Sequence, residues 1–345
     1  MLYDVRRPWR TILLAAAAAI SLLILFNWTT RGTLRSQDVR DPKSLEYGSQ
    51  AAPWSDSPAA DIPTPSNGKA IHIVVSHYTE EPFYIARWLS SLRSIPSIAT
   101  LGTYAIIFTK GPITDVAGLK EVATADAVMH VPNIGREGST YLNHILANWD
   151  DLPPYTLFTQ AIIKKAQKEG AADAEDSGTL LPWLTSRLAE KFDNNTGFMS
   201  LDRKHDICYC GHCTDIHNRD EFYPLWPQLF AMMEGRVCGA GEPSVLSFNG
   251  HFIVSRKRIR ERPKELYGYL RDLVDAPEGH WLHEESFPKW FDREKGKSSP
   301  QDPKFGHTLE RLWHILFKCY DIADVRDCEV KEGEDEGQGG CSCND

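Results

Sequence analysis

Residues 133–139 read NIGREGS, and their types suit an anion. Gly135 and Gly138 let the backbone turn tightly or approach a ligand closely. Ser139 can cap a helix, whose free N–H groups and dipole favour negative charge. Arg136 adds a guanidinium that grips phosphate or carboxylate through two parallel hydrogen bonds. Together they point to an anionic ligand, such as the diphosphate of a sugar nucleotide. The alternative is that Arg136 and Glu137 form structural ion pairs and the glycines make an ordinary connection. Tyr141 and His144 lie three apart on the same helix and could face the cleft, although a lone helical histidine more often serves packing.

An inverting sugar transfer or a hydrolysis needs a carboxylate as general base. Glu284, Glu285 and Glu310 are the choices. Glu310 is favoured because HTLERLWHILF surrounds it with apolar residues, where an ion pair with Arg311 or Arg136 is the other reading. SFNGHFIVSRKRI would expose His251 on a loop, while Asn249-Gly250 also suits a two-residue hairpin turn. Asp150 and Asp151 precede Leu-Pro-Pro and read as a turn rather than a metal pair. Asp202 is an alternative carboxylate with thin support. These motifs give no reason to expect a divalent metal, and the cofactor stays unknown on this reading.

The chain has eight cysteines. Cys208, Cys210 and Cys213 with His205, His212 and His217 could bind zinc, but C-x-C-x-x-C lacks the usual paired spacing. Disulfides are the better reading for a body in an oxidising compartment. Cys238 is then a partner for that cluster, and Cys319 with Cys328 a second bridge. Asn194 in Asn-Asn-Thr is a glycosylation acceptor pattern, and Asn27 fits it too but lies at the membrane edge.

The elements that must position these residues alternate strand and helix. IHIVVS, TYAIIFT, AVMHVP and YTLFTQ read as buried strands. Ile85, Trp88, Leu89 and Leu92 fit one helical face after Pro82. A helix over residues 140–149 puts Leu142, Ile145, Leu146 and Trp149 on its core face. LLPWLTSRLAEKF, PKELYGYLRDLV and HTLERLWHILFKCY read as further helices, and FYPLWPQLFAMMEG as one interrupted near Pro227. The pattern predicts an α/β fold with a mostly parallel sheet and flanking helices, plus a Cys-rich excursion. In such a sheet ligands lie beyond the carboxyl ends of the strands. SHYTEE (76–81), NIGREGS and Thr159-Gln160 should converge there.

The 345-residue chain carries a net charge of −9, which argues against nucleic acid as a partner. Residues 11–28 hold no charge and follow Arg6, Arg7 and Arg10. As a helix they span about 27 Å, near the hydrocarbon thickness of a bilayer. Without a good cleavage site after them, they read as a signal anchor with residues 1–10 in the cytoplasm. The expectation is a single-pass type II membrane protein of the secretory pathway, in the Golgi or endoplasmic reticulum. Residues 29–69 form its flexible stem, 70–322 its lumenal domain and 329–345 a disordered acidic tail.

VVSHYTEEPFYIARWL, PNIGREGSTYLNHILANWDDLPPYTLFTQA, FNGHFIVSRKRIRERPKELYGYL and GHTLERLWHILF resemble a mostly fungal family known as domain of unknown function 3431. The resemblance spans about residues 70–322. Where that family tends to have Gln-Gly, this chain has Gln160-Ala161. A weaker resemblance is to type II glycosyltransferases with the A-type nucleotide-sugar fold, whose Asp-x-Asp metal motif is missing here. That resemblance implies Ser76, Tyr78, Glu80 and Gln160 at a nucleotide and acceptor region. It implies Arg136 with Lys110 at the phosphates in place of a metal and Glu310 or Glu285 as the base, while a hydrolase would use His251 and a carboxylate. The expected activity is sugar transfer from a nucleotide sugar to a glycan or other acceptor. The alternative is a non-catalytic lumenal binding domain of the same fold.

Overall fold

The computed structural model describes residues 69–112, 115–161, 180–202, 205–211, 226–283, 298–326 and 341–345. The strands are β1 (Ile71–His77), β2 (Thr103–Thr109), β3 (Ala127–His130), β4 (Tyr155–Gln160), β5 (Thr196–Ser200), β6 (His205–Tyr209), β7 (Pro243–Ser247), β8 (Phe252–Ser255) and β9 (Ser342–Asn344). The helices are α1 (Pro82–Arg93), α2 (Pro96–Leu101), α3 (Val116–Ala123), α4 (Arg136–Ala147), α5 (Leu180–Lys191), α6 (Trp226–Glu234), α7 (Arg256–Arg260), α8 (Lys264–Val274) and α9 (Lys304–Leu316).

Seven strands form one sheet in the order β3-β2-β1-β4-β8-β5-β9. β1 pairs in parallel with β2 and β4, and β2 with β3. β8 runs against β4 and β5, and β9 against β5, so β1 to β5 share one direction. The sheet is mixed and mostly parallel. Its parallel neighbours need long crossovers, and α1 to α4 supply them. β1 reads as one apolar run because both of its faces are covered. Val74, Ile106 and Phe108 face α4, α8 and α9. Ile71, Ile73, Val75, Ala105 and Ile107 face α1, α2, α3 and α5. The predicted faces of α1 and α4 are buried there, with Ile85, Trp88, Leu89 and Leu92 on α1 and Leu142 and Ile145 on α4.

Three local expectations are corrected. First, α4 does not begin at Ser139. It begins at Arg136, with Gly135 at its N-cap in the left-handed region (φ 64°) and Arg136 itself at φ 48°. A side chain at Gly135 would collide with Asp275 and Ser139, so only glycine fits this entry. Second, Asn249-Gly250 does make a left-handed turn, φ 61° and 69°, but not a hairpin. β7 pairs with β6 in a separate two-stranded sheet, while β8 joins the main one. Third, Pro227 lies in the first turn of α6, a position that tolerates its missing N–H.

The end of the chain is also corrected. Residues 341–345 are ordered, and β9 forms the sheet edge beside β5. Cys319 bonds to Cys343 rather than to Cys328. Arg258 donates to the carbonyls of Lys318 and Asn344, and Ser255 donates to Asp345 at 2.8 Å. These partners offset the entropy of ordering a short polar segment. Cys210 bonds to Cys238, the partner expected for that cluster, and Cys208 and Cys341 are also disulfide-bonded. Cys213, Cys328 and Glu285 lie outside the described residues. Residues 11–28 do too, and no helix among the described residues is long and apolar enough to cross a membrane.

Replacing both Cys319 and Cys343 with Ser should cost about 2–5 kcal/mol of stability in urea unfolding. Unchanged stability would mean that the bridge does not hold β9 in place.

Candidate functional site

The start of α4 lies at the carboxyl ends of the parallel strands. Ser76, at the end of β1, has its hydroxyl 3.4 Å from that of Thr140 in α4. Gly135 donates its N–H to Pro300 at 2.8 Å. Lys110, just beyond β2, is buried and donates to the carbonyls of Ile134 (2.6 Å) and Arg136. Burial lowers the Lys110 ammonium to about 8, against the pull of Asp275 and Glu137. Lys110 therefore fastens the entry to α4, and its expected place at a ligand phosphate is corrected.

Arg136 reaches across to α9. Its Nη1 lies 2.7 Å from Nε2 of His307 and 3.4 Å from Asp302, and its Nε lies 3.6 Å from Glu137. His307 Nδ1 is 3.9 Å from Glu310 Oε2, one helical turn along. Arg136 and Glu310 thus belong to one network, joined through His307. Glu310 also meets Arg311 at 3.5 Å.

Opposite them stands the turn between β7 and β8. Glu310 Oε1 accepts the N–H of Asn249 at 2.6 Å. Asp202, just after β5, accepts the N–H of His251 at 3.1 Å and the Asn249 amide at 3.3 Å. These carboxylates take the N–H groups that the turn, passing from one sheet to the other, leaves unpaired. Gln160, at the end of β4, donates to the Asn249 carbonyl at 2.7 Å. His251 is buried, with Nδ1 2.8 Å from the Thr159 hydroxyl.

Burial sets the electrostatics. It raises the Asp202 carboxyl well above its ordinary range, opposed by the hydrogen bonds from His251 and Asn249 and reinforced by Glu310. Burial also raises Glu137, opposed by Arg136 and reinforced by Glu310. The fully buried Tyr141 phenol is pushed up by burial and then by Glu137, Asp202 and Glu310. Among the described residues its hydroxyl has no hydrogen-bond partner, nor has the indole N–H of Trp313. Both border Gly250, where an added side chain would meet Trp313 Nε1 at 3.4 Å and Tyr141 Cε2 at 3.6 Å. The arrangement offers a carboxylate beside a guanidinium at the strand ends, over a polar, proton-holding floor.

The other expected residues separate. Tyr78 is exposed beyond β1. Glu80 turns back to accept the N–H groups of Tyr78 (2.7 Å) and Thr79 (3.2 Å), so it shapes its own loop. His144 does not face the cleft. It is buried 3.3 Å from His72, between Phe108 and Phe158, with Asn148 on its other nitrogen. Asp150 and Asp151 form a short 3-10 turn before β4, at the opposite end of the sheet, as their sequence suggested. Asn194 is exposed in the turn leading to β5. Sequence reasoning placed Thr159 at the strand ends, undervalued Asp202 and overlooked Asp275, His307 and Trp313. Only His307, one turn ahead of Glu310, carried a readable signal.

A family model described as a protein of unknown function, DUF3431, matches residues 114–332. The chain belongs to this family. The match takes in α3 to α9 and leaves out β1 and β2, a shorter reach than residues 70–322. No curated protein matches the chain. Among solved structures, one described as a mycobacterial protein is 15% identical, with a TM-score of 0.29 over 56% of this chain and 55% of that one. Glucosyl-3-phosphoglycerate synthase from Mycobacterium tuberculosis, bound to phosphoglyceric acid, is 15% identical, with a TM-score of 0.28 over 56% and 59%. The same enzyme with Mn2+, uridine-diphosphate and glucosyl-3-phosphoglycerate is 13% identical, with a TM-score of 0.28 over 58% and 63%. The chain thus spans less than two thirds of each, and the glycosyltransferase likeness is weak.

His251 supplies a pH test. Burial lowers its imidazole from 6.5 to about 4. The unfolded chain binds this proton near pH 6.5, while the folded protein resists it until about pH 4. The contribution is therefore complete above pH 6.5 and is lost as the pH falls through that window. In His251→Gln, urea unfolding from neutral pH down to about pH 4 should lose roughly 3 kcal/mol less than wild type over the same range. Equal losses would show that His251 is protonated in the folded protein.

Proposed function

We propose that the domain binds a nucleotide sugar at the carboxyl ends of β1, β3 and β4 and transfers its sugar to an acceptor. The observation that carries this reading is the Arg136–His307–Glu310 network at the first turn of α4. A guanidinium at a helix start suits a diphosphate. A carboxylate beside it suits the base that takes a proton from an acceptor hydroxyl. In this reading Ser76 and the exposed Tyr78 meet the nucleotide, Arg136 its phosphates, and Oε2 of Glu310 the acceptor. Gln160 and Asp202 are positioning residues that hold the Asn249 turn against Glu310. The apolar span 11–28 would anchor the domain on the lumenal side of a secretory membrane, and Asn194 would carry a glycan.

A second reading is favoured by a specific observation. Arg136 lies against Glu137, Glu310 lies against Arg311, and buried Ala161 follows Gln160 at the end of β4. Charges satisfied within the protein fit a binding module that performs no chemistry.

Thermal unfolding of the full-length chain with a panel of nucleotide sugars and free nucleotides, with and without manganese, separates the two. One nucleotide class at about a hundred times its Kd should stabilise the fold by roughly 2.7 kcal/mol. Arg136→Ala should abolish that shift. Glu310→Gln should keep it but lose about 10²–10⁴-fold in transfer rate. A well-folded chain that shifts with none of these compounds contradicts nucleotide-sugar transfer.

A further inference from the structure

His72 on β1 and His144 on α4 take no part in the site above, and both are buried. His72 Nδ1 lies 3.3 Å from His144 Nε2, with the rings edge to face. One nitrogen must donate here and the other accept, so the contact holds a single proton. Asn148 decides where that proton sits. Its side-chain nitrogen donates to the His144 carbonyl at 2.9 Å, which fixes the orientation of the amide. The same nitrogen stands 3.5 Å from His144 Nδ1. Facing a donor, Nδ1 keeps its lone pair, and the His144 proton is on Nε2. That proton is donated to Nδ1 of His72, whose own proton is then on Nε2.

A second proton has no place in this arrangement. On His72 Nδ1 it would set two N–H groups head to head. On His144 Nδ1 it would confront the Asn148 amide nitrogen. The surrounding elements offer no charge to compensate. β2 presents Tyr104 to His72 and Phe108 to His144, and β4 presents Thr156 and Phe158. Asp126 bears on Tyr104, but it is held by Arg93 at 2.9 Å and Lys69 at 3.5 Å. α8 adds Leu266, Leu270 and Tyr267, whose hydroxyl goes to the Ile259 carbonyl. α9 meets α4 at Gly138, and its Glu310 bears on Glu137 and Tyr141.

Burial lowers His72 from 6.5 to about 4. Burial, and then His72 beside it, lowers His144 well below its ordinary value. A ring freed from the contact binds its proton near pH 6.5. The contact therefore holds fully above pH 6.5 and weakens as the pH falls toward about 4.

We propose that the His72–His144 contact is an acid-sensitive latch, and that protonation of either ring releases the second half of α4 from β1 while the central strands stay paired. The first half of α4 is tied to β1 separately, by Thr140 and Ser76. That half carries Arg136 and Tyr141, so acid would loosen the candidate site from behind. The latch does not depend on what the site binds.

Amide exchange of the full-length chain with its disulfides intact, corrected for intrinsic pH dependence, tests the latch. The Ile145 and Leu146 amides should open roughly 60-fold more readily at about pH 4.5 than at about pH 7, the ratio for one proton bound near 6.5 when free and near 4 when latched. The Val75 and Ile107 amides of the central strands should stay protected. In the double variant His72→Phe, His144→Phe, the α4 amides should keep their protection over the same range. Unchanged α4 protection in the wild-type protein overturns the latch, and so does an equal loss in the double variant. Loss at Val75 and Ile107 together with α4 is acid unfolding of the whole domain and also overturns it. Because the double variant could fail to fold, imidazole 15N spectra of the wild-type protein give a second reading. Both rings should be Nε2–H tautomers at neutral pH and should take up protons in step with the opening of α4. A ring that protonates while the α4 amides stay protected contradicts the latch.

Discussion

The turn at residues 249–251 carries backbone N–H groups that neither sheet can accept, because β7 and β8 part there. An unmet N–H in this dense interior would cost on the order of 1–3 kcal/mol. Glu310 takes the N–H of Asn249 and Asp202 that of His251. One carboxylate comes from α9 and the other from the end of β5, so the turn ties a helix to the sheet. Gln160 adds the end of β4 through the Asn249 carbonyl. The geometry of the candidate site follows from this junction. It fixes Glu310, whose Oε2 lies 3.9 Å from His307, which in turn meets Arg136 at the start of α4.

The same junction explains the unusual charge balance. Glu310 lies close enough to Glu137 and to Asp202 to disfavour their charged forms. Asp202 is fully buried and accepts hydrogen bonds without a cationic partner of its own, so its carboxyl is pushed up. Glu310 sits beside Arg311 and faces His307. Two acids in one turn network are thereby given different environments, one fully buried and one beside Arg311.

Much of the fold was legible because parallel strands are continuous apolar runs. β1, β2 and β4 stand out in sequence for that reason, and α1 and α4 by helical spacing of apolar residues. What was hidden depends on partners distant in the chain. The start of α4 is set by Gly135, whose N–H goes to the Pro300 carbonyl and whose missing side chain leaves room for Asp275, and nothing local in NIGREGS reports either. β9 sits in an acidic, glycine-rich end whose composition suggests disorder, and a disulfide, Arg258, Ser255 and pairing with β5 order it. For the site, Arg136 and Glu310 were readable as a charged pair in apolar surroundings. Their link through His307 was not, and neither was the burial of Lys110 and His144.

The central claim is that two carboxylates grip the turn from below, and amide hydrogen exchange measures that grip most directly. Asn249 is an exposed residue, yet its N–H is bonded to Glu310. The account predicts that the Asn249 and His251 amides exchange as slowly as those of the neighbouring β8 strand. In Glu310→Ala, the Asn249 amide alone should become fast. Rapid exchange at both positions in the wild-type protein, at the rate of a surface loop, would contradict it.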